Sequence, residues 1–161
     1  QEMKKHIMIF SCVLFLLSAC TTDIIYSHFH PIVYDDSAIT HTGHWHKDSI
    51  VHFDYQIADS SAAYSVLIYV RHTERYPYQN MWLFVNDGTH CDTIEFYLAD
   101  DRGQWLGDDK NGFIEMPVLF DASRHYADTG FYQLNIQHGM RDTLLRGVMD
   151  VGVEIAVSDK E

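Results

Sequence analysis

Residues 51–57, VHFDYQI, set Val51, Phe53, Tyr55 and Ile57 in strict alternation with His52, Asp54 and Gln56. A period of two sends the two sets to opposite faces of an extended chain, so the segment is a strand with one buried and one wet face. The same period returns in DTIEFYLA (92–99), with Ile94, Phe96 and Leu98 against Thr93, Glu95 and Tyr97. It returns again in FYQLNIQ (131–137) and in DVGVEIAV (150–157), where Val151, Val153, Ile155 and Val157 share a face. YSVLIYV (64–70) and MWLFV (81–85) are apolar in both phases, which suits strands covered on both sides or, for a run this short, a buried helix. FIEMPVLF (113–120) contains Pro117, which lacks an amide donor and points to an edge strand or a bulge. Seven strands are legible, and Ile24 to Phe29 supplies an eighth. Turn signals separate them: DSSA at 59, NDGT at 86, ADDRG at 99, DDKNG at 108, ADTG at 127 and RDTLLRG at 141. Short strands joined by Gly and Asp turns, with no alternating helices, predict an all-β antiparallel sandwich of about seven or eight strands, jelly-roll or immunoglobulin-like.

The amino terminus has a different logic. Met3, read as the start with Gln1 and Glu2 outside it, is followed by Lys4 and Lys5, an apolar run from Ile7 to Leu17, and LSAC at 17–20. This is the basic, apolar, small-residue order of a secretory signal, and the run is too short to span a bilayer, which takes roughly 17 to 25 residues. LSAC resembles the lipobox of bacterial lipoproteins. That resemblance implies cleavage after residue 19, lipidation of Cys20, a tether over 20–23 and a single domain over 24–161. The remaining chain of about 140 residues fits one core. Of three cysteines, Cys12 leaves with the signal, Cys20 takes lipid and Cys91 has no partner, so no disulfide framework is expected. A net charge of −12 argues against nucleic acid, whose binding rests on Lys and Arg neutralising phosphates.

Candidate chemistry is sparse. HTGHWH brings His41, His44 and His46 close together, a spacing able to ligate zinc or copper, but no Cys or carboxylate accompanies it at a recognised interval. The bland alternative is a solvated loop leading into the 50–58 strand. The Asp pairs at 35–36, 100–101 and 108–109 raise calcium or a glycosidase dyad, yet adjacent Asp residues in turns ordinarily cap backbone amides. No GxSxG, HExxH or phosphate-binding glycine loop is present, and no serine has a triad context. No cofactor is expected.

Four longer motifs, GHWHKDSIVHFDY, VRHTERYPYQNMWLFV, DTIEFYLADDRGQWLGDDKNG and GFYQLNIQHGMRDTLLRGVMDVGVEI, occur in that order and cover most of residues 43–155. Together they resemble the gliding motility lipoprotein GldH family of the Bacteroidetes. The resemblance implies a lipid-anchored, non-enzymatic accessory or assembly component of the gliding machinery, which in that phylum is linked to type IX protein secretion. It implies membrane attachment through the N-terminal lipid and protein partners within that machinery; Thr21 rather than an Asp after Cys20, with no acidic run in TTD, points to the outer membrane on its periplasmic face. The positions singled out as contact or motif-loop residues are Trp45, Arg71, His72, Tyr76, Pro77, Tyr78, Asn80, Trp105, Met140, Arg141 and Asp142.

Read from the residues themselves, these positions are largely structural. Trp105, between two glycines and two Asp pairs, either folds back to cap the sandwich or stands exposed as a contact anchor. Arg71, Arg141 and Asp142 are expected to form an ion pair that fixes loops at one end, with Tyr76 and Asn80 filling the remaining hydrogen bonds of Arg71. The interval from Arg71 to Asn80 is long for a hairpin loop, and Pro77 stiffens it. The expected reading is an arginine-pinned, tyrosine-rich loop. A carbohydrate-binding sandwich is the alternative, with Trp45, Trp82, Trp105 or Tyr78 stacking on sugar rings.

Overall fold

The computed structural model describes residues 23–36 and 39–158. The signal segment 1–19, Cys20 and all but the last residue of the 20–23 tether lie outside the described residues. Thirteen strands follow in order: β1 (Ile24–Pro31), β2 (Val33–Asp36), β3 (Ile39–Thr42), β4 (His44–His46), β5 (Val51–Ile57), β6 (Tyr64–His72), β7 (Asn80–Asn86), β8 (Cys91–Tyr97), β9 (Asp108–Asp109), β10 (Ile114–Arg124), β11 (Gly130–His138), β12 (Leu144–Arg146) and β13 (Val148–Val157). A five-stranded sheet in the order β1-β13-β6-β10-β9 lies against a four-stranded sheet in the order β5-β11-β7-β8, and β12-β4 and β2-β3 form two small antiparallel pairs.

The architecture is the all-β sandwich that the alternation predicts, and all eight expected strands are present. From the larger sheet, Val66, Ile68 and Val70 of β6 and Val151, Val153 and Ile155 of β13 point inward. Phe53, Tyr55 and Ile57 of β5, Met81, Leu83 and Val85 of β7, and Leu134 and Ile136 of β11 supply the other half of the core. Each such side chain contributes about 1.5–3 kcal/mol by leaving water. Space is tight on the outer face too, where a Cβ added at Gly152 would lie 2.5 Å from the ring of Phe29. Only glycine lets that ring lie flat on β13. Pro117 is accommodated because β9 pairs only with Ile114 and Glu115 of β10, which leaves Pro117 on an open edge.

Several expectations need correcting. MWLFV is not covered on both sides: Met81, Leu83 and Val85 are buried, but Trp82 is 37% and Phe84 39% exposed. HTGHWH is not a solvated loop, since β4 runs through it and places Trp45 fully in the core. RDTLLRG is not a plain turn, because β12 pairs with β4, Leu145 opposite Trp45. The segment after Arg71 is not a hairpin loop. Strand β6 continues through His72, and Thr73 to Gln79 then cross from the five-stranded to the four-stranded sheet. That crossing explains a length a hairpin would not need.

Candidate functional site

Strand β11 runs beside β7 from Asn135, opposite Asn86, to His138, opposite Leu83. The amide of Gly139 still donates to the Trp82 carbonyl at 2.7 Å, and there the ladder stops. Beyond it, side chains take over: the Trp82 amide donates to the sulfur of Met140 at 3.4 Å, and the Tyr76 hydroxyl donates to the Asn80 carbonyl at 2.8 Å. The departure of β11 opens a concavity of about 330 Å³ lined by Tyr78, Asn80, Trp82, Gly139, Met140 and Arg141.

Its floor is fixed from below. His138 is buried, and its Nε2–H donates to the Trp45 carbonyl at 3.1 Å with the two rings edge to face. His72, also buried, donates from Nδ1 to the Thr73 carbonyl at 3.1 Å and packs against Tyr76 and Trp105. The second ring nitrogens, Nε2 of His72 and Nδ1 of His138, are buried with no hydrogen-bond partner. Desolvation therefore holds both imidazoles neutral, with pKa values below the ordinary histidine value. Gly147 locks the crossing loop from the side. Its φ of 85° is left-handed, and a Cβ there would lie 2.5 Å from the Tyr76 nitrogen.

The rim is polar and internally paired. Tyr78 donates to Asp142 Oδ2 at 2.6 Å, and Asn80 Nδ2 donates to Glu95 Oε1 at 2.6 Å. The bond to Asp142 raises the Tyr78 pKa, so the side chain remains a neutral phenol. Phe84 lies over Gly139, where an added Cβ would meet its ring at 3.2 Å. Arg141 is exposed and has no hydrogen-bond or ion-pair partner among the described residues.

Of the positions singled out in the sequence, Tyr78, Asn80, Met140, Arg141 and Asp142 come together at this groove, with Pro77 exposed in the adjoining loop. Trp45, His72 and Tyr76 lie buried beneath it. Trp105 is half-buried, its ring 4.7 Å from that of His72, and caps the sandwich. The expected pairing of Arg71 with Asp142 does not form. Arg71 lies on β6, bonds Glu115 Oε2 at 2.7 Å and covers the ring of Phe29 at 3.6 Å, on the outer face of the larger sheet. Register decides this, because β10 places Glu115 directly opposite Arg71. His44 and His46 flank Trp45 on β4, where His46 stacks on Tyr34, and the His41 side chain lies outside the described residues. Among the described residues no group of three or more His, Cys, Asp or Glu is placed to hold a metal. The Asp-rich loops do turn work, as where Asp100 Oδ1 accepts the amides of Arg102 and Gln104.

The strand reading of MWLFV missed Phe84 as a surface residue and counted Trp82 as covered, although the sugar-binding alternative names Trp82. A signal was present: the phase of β7 that holds Trp82 and Phe84 begins at Asn80 and ends at Asn86, so polar residues mark it as the wet one.

The family model described as GldH lipoprotein matches residues 32–155, a span that contains the whole groove. A gliding motility lipoprotein GldH homolog from Christiangramia forsetii is 28% identical over 165 residues, covering 95% of this chain and 96% of the relative. The gliding motility lipoprotein GldH of Flavobacterium johnsoniae is 30% identical over 131 residues, covering 71% and 79%.

Proposed function

The chain belongs to the GldH lipoprotein family, and from that membership we propose that it is an exported, membrane-anchored accessory component of the gliding-motility system that holds a partner protein in the groove beside Trp82. Lipidation at Cys20 supplies the anchor, on the periplasmic face of the outer membrane, and the role extends to assembly of the linked type IX secretion machinery. The protein acts by binding and carries out no reaction.

The observation that carries the reading is convergence. Tyr78 and Asn80 come from one segment and Met140, Arg141 and Asp142 from another, and both meet at one open concavity next to a tryptophan that the fold leaves exposed. Trp, Tyr, Arg and Met are the side chains enriched at protein interfaces. The polar groups of the rim are spent on one another in the pairs Tyr78–Asp142 and Asn80–Glu95, an arrangement suited to holding shape. The sugar-binding alternative is weakened because two of its platforms, Trp45 and Trp105, are packed into or against the core.

The test is recovery of the Cys20-anchored protein from crosslinked cells. The expected result is co-purification of envelope components of the gliding and secretion machinery. Recovery of none of them contradicts the assembly role.

A further inference from the structure

None of the strands of the four-stranded sheet, β5, β7, β8 and β11, contains a lysine or an arginine. Its outward positions hold two carboxylates, Asp54 and Glu95, and three exposed aromatics, Trp82, Phe84 and Tyr97, surround the second. Register sets this cluster. Trp82 lies directly opposite Glu95 and Phe84 is a diagonal neighbour, while Tyr97 is two residues along the same strand, so all four share one face. Glu95 accepts from Asn80 Nδ2 at 2.6 Å, and no cation pairs with it among the described residues. By contrast, the arginines on the larger sheet, Arg71 and Arg124, are each paired with a carboxylate. Around the groove, Glu95 and Asp142 stand against Arg141 alone. The donors to those carboxylates, Asn80 and Tyr78, are neutral and leave the negative charge in place.

We propose that this face docks a basic polypeptide segment of a partner protein, an arginine or lysine of which lays its stem across Trp82 and Phe84 and brings its charge to Glu95. The inference rests on the docking reading above and adds the chemistry of the partner. Anything seated on Trp82 also covers Glu95, because the two are cross-strand neighbours. An apolar group alone would strip water from a carboxylate and return nothing, whereas a cation pairs with it and gains the aromatic face beneath. A guanidinium suits both surfaces, since its plane stacks on an indole and its donors match a carboxylate. The chain's net charge of −12 adds long-range attraction for the same ligand. A glycan would need free polar groups converging on its hydroxyls. Here Asn80 is bonded to Glu95, Gln133 to Asp54, His52 to Asn135 and Gln137 to the Lys47 carbonyl, so the polar side chains of the face are spent on one another while the carboxylates keep their charge.

The experiment pans a phage-displayed library of random peptides against the full chain, then measures recovered peptides against Trp82→Ala, Glu95→Gln and Arg141→Gln. Glutamine at 95 can still accept from Asn80, so that variant removes the charge and keeps the bond. The expected result is enrichment of Arg or Lys beside an apolar residue, with affinity lowered at least about tenfold by Trp82→Ala and by Glu95→Gln, not lowered by Arg141→Gln, and falling as salt rises. Peptides that need Trp82 but lack Arg and Lys, or that bind Glu95→Gln as well as the native chain, overturn this inference and leave the docking reading standing. Acidic peptides that need Trp82 and are lost in Arg141→Gln do the same. Peptides that ignore Trp82, or none above background, overturn both. Self-association or maltoheptaose binding in place of peptides, lost in Trp82→Ala, overturns the partner assignment in favour of a second copy or a glycan.

Discussion

The hydroxyl of Tyr78 donates to Asp142 at 2.6 Å, closing one side of the groove by joining two segments far apart in the chain. Because the phenol is exposed, this bond orients side chains more than it stabilises the fold. Tyr78→Phe is expected to leave the urea midpoint unchanged while lowering partner capture. A lowered midpoint with capture intact would make the bond structural.

Gly147 is where a single methyl group does most damage. Its left-handed φ and the 2.5 Å approach to the Tyr76 nitrogen leave an alanine no room without moving the crossing loop. Strain and overpacking together set the cost of Gly147→Ala at about 2–4 kcal/mol, measured by urea unfolding. Gly103 has a left-handed φ but open space around it, so the same substitution there is expected to cost only about 1 kcal/mol.

Acid sensitivity follows from the two buried histidines. Their folded pKa values are lowered by burial, so the unfolded chain binds protons first as pH falls. The stability they contribute is complete above the unfolded value of about 6.5 and is lost as pH drops below it toward their folded values. Asp87 is shifted the opposite way relative to its charge: it stays ionised well below the usual carboxylate range, held by the His90 and Thr89 groups and by Arg124 despite its desolvation. Its contribution is present above the unfolded value of about 4 and disappears only below that. Urea midpoints recorded from pH 8 downward are therefore expected to decline in two stages, and His138→Phe should flatten the first. A profile level to pH 5 would contradict the account.

Arg71 and Glu115 form a cross-strand pair whose side chains are only 26% and 16% exposed. Removing Arg71 also uncovers Phe29 and leaves Asp150, its pKa already raised by burial, without a nearby cation. Arg71→Ala is expected to cost about 2–3 kcal/mol and Glu115→Gln about 1 kcal/mol, with a coupling of about 1 kcal/mol in the double-mutant cycle. Additive costs would show that the pair is incidental.

What the sequence made legible depends on run length. Seven residues of alternation at Val51–Ile57 leave no doubt about period, whereas the three residues of β4 and of β12 carry none, and their identity as strands comes from pairing with each other across the chain. The same limit applies to partners. Nothing local to Arg71 indicates Glu115 over Asp142; sheet register decides it, and register is a property of the assembled core. The groove was half legible for this reason. Its rim residues stood out by motif, but their meeting at one concavity depends on where β11 departs from β7.

The most direct measurement places a photo-crosslinking amino acid at Tyr78, on the groove, and at Phe131, the second residue of β11, which is 83% exposed. In intact cells the account predicts a discrete adduct with an envelope protein from position 78, abolished by Trp82→Ala, and none from position 131. Equal crosslinking from both positions, or an adduct at 78 that survives Trp82→Ala, would contradict the claim that this groove is where the protein holds its partner.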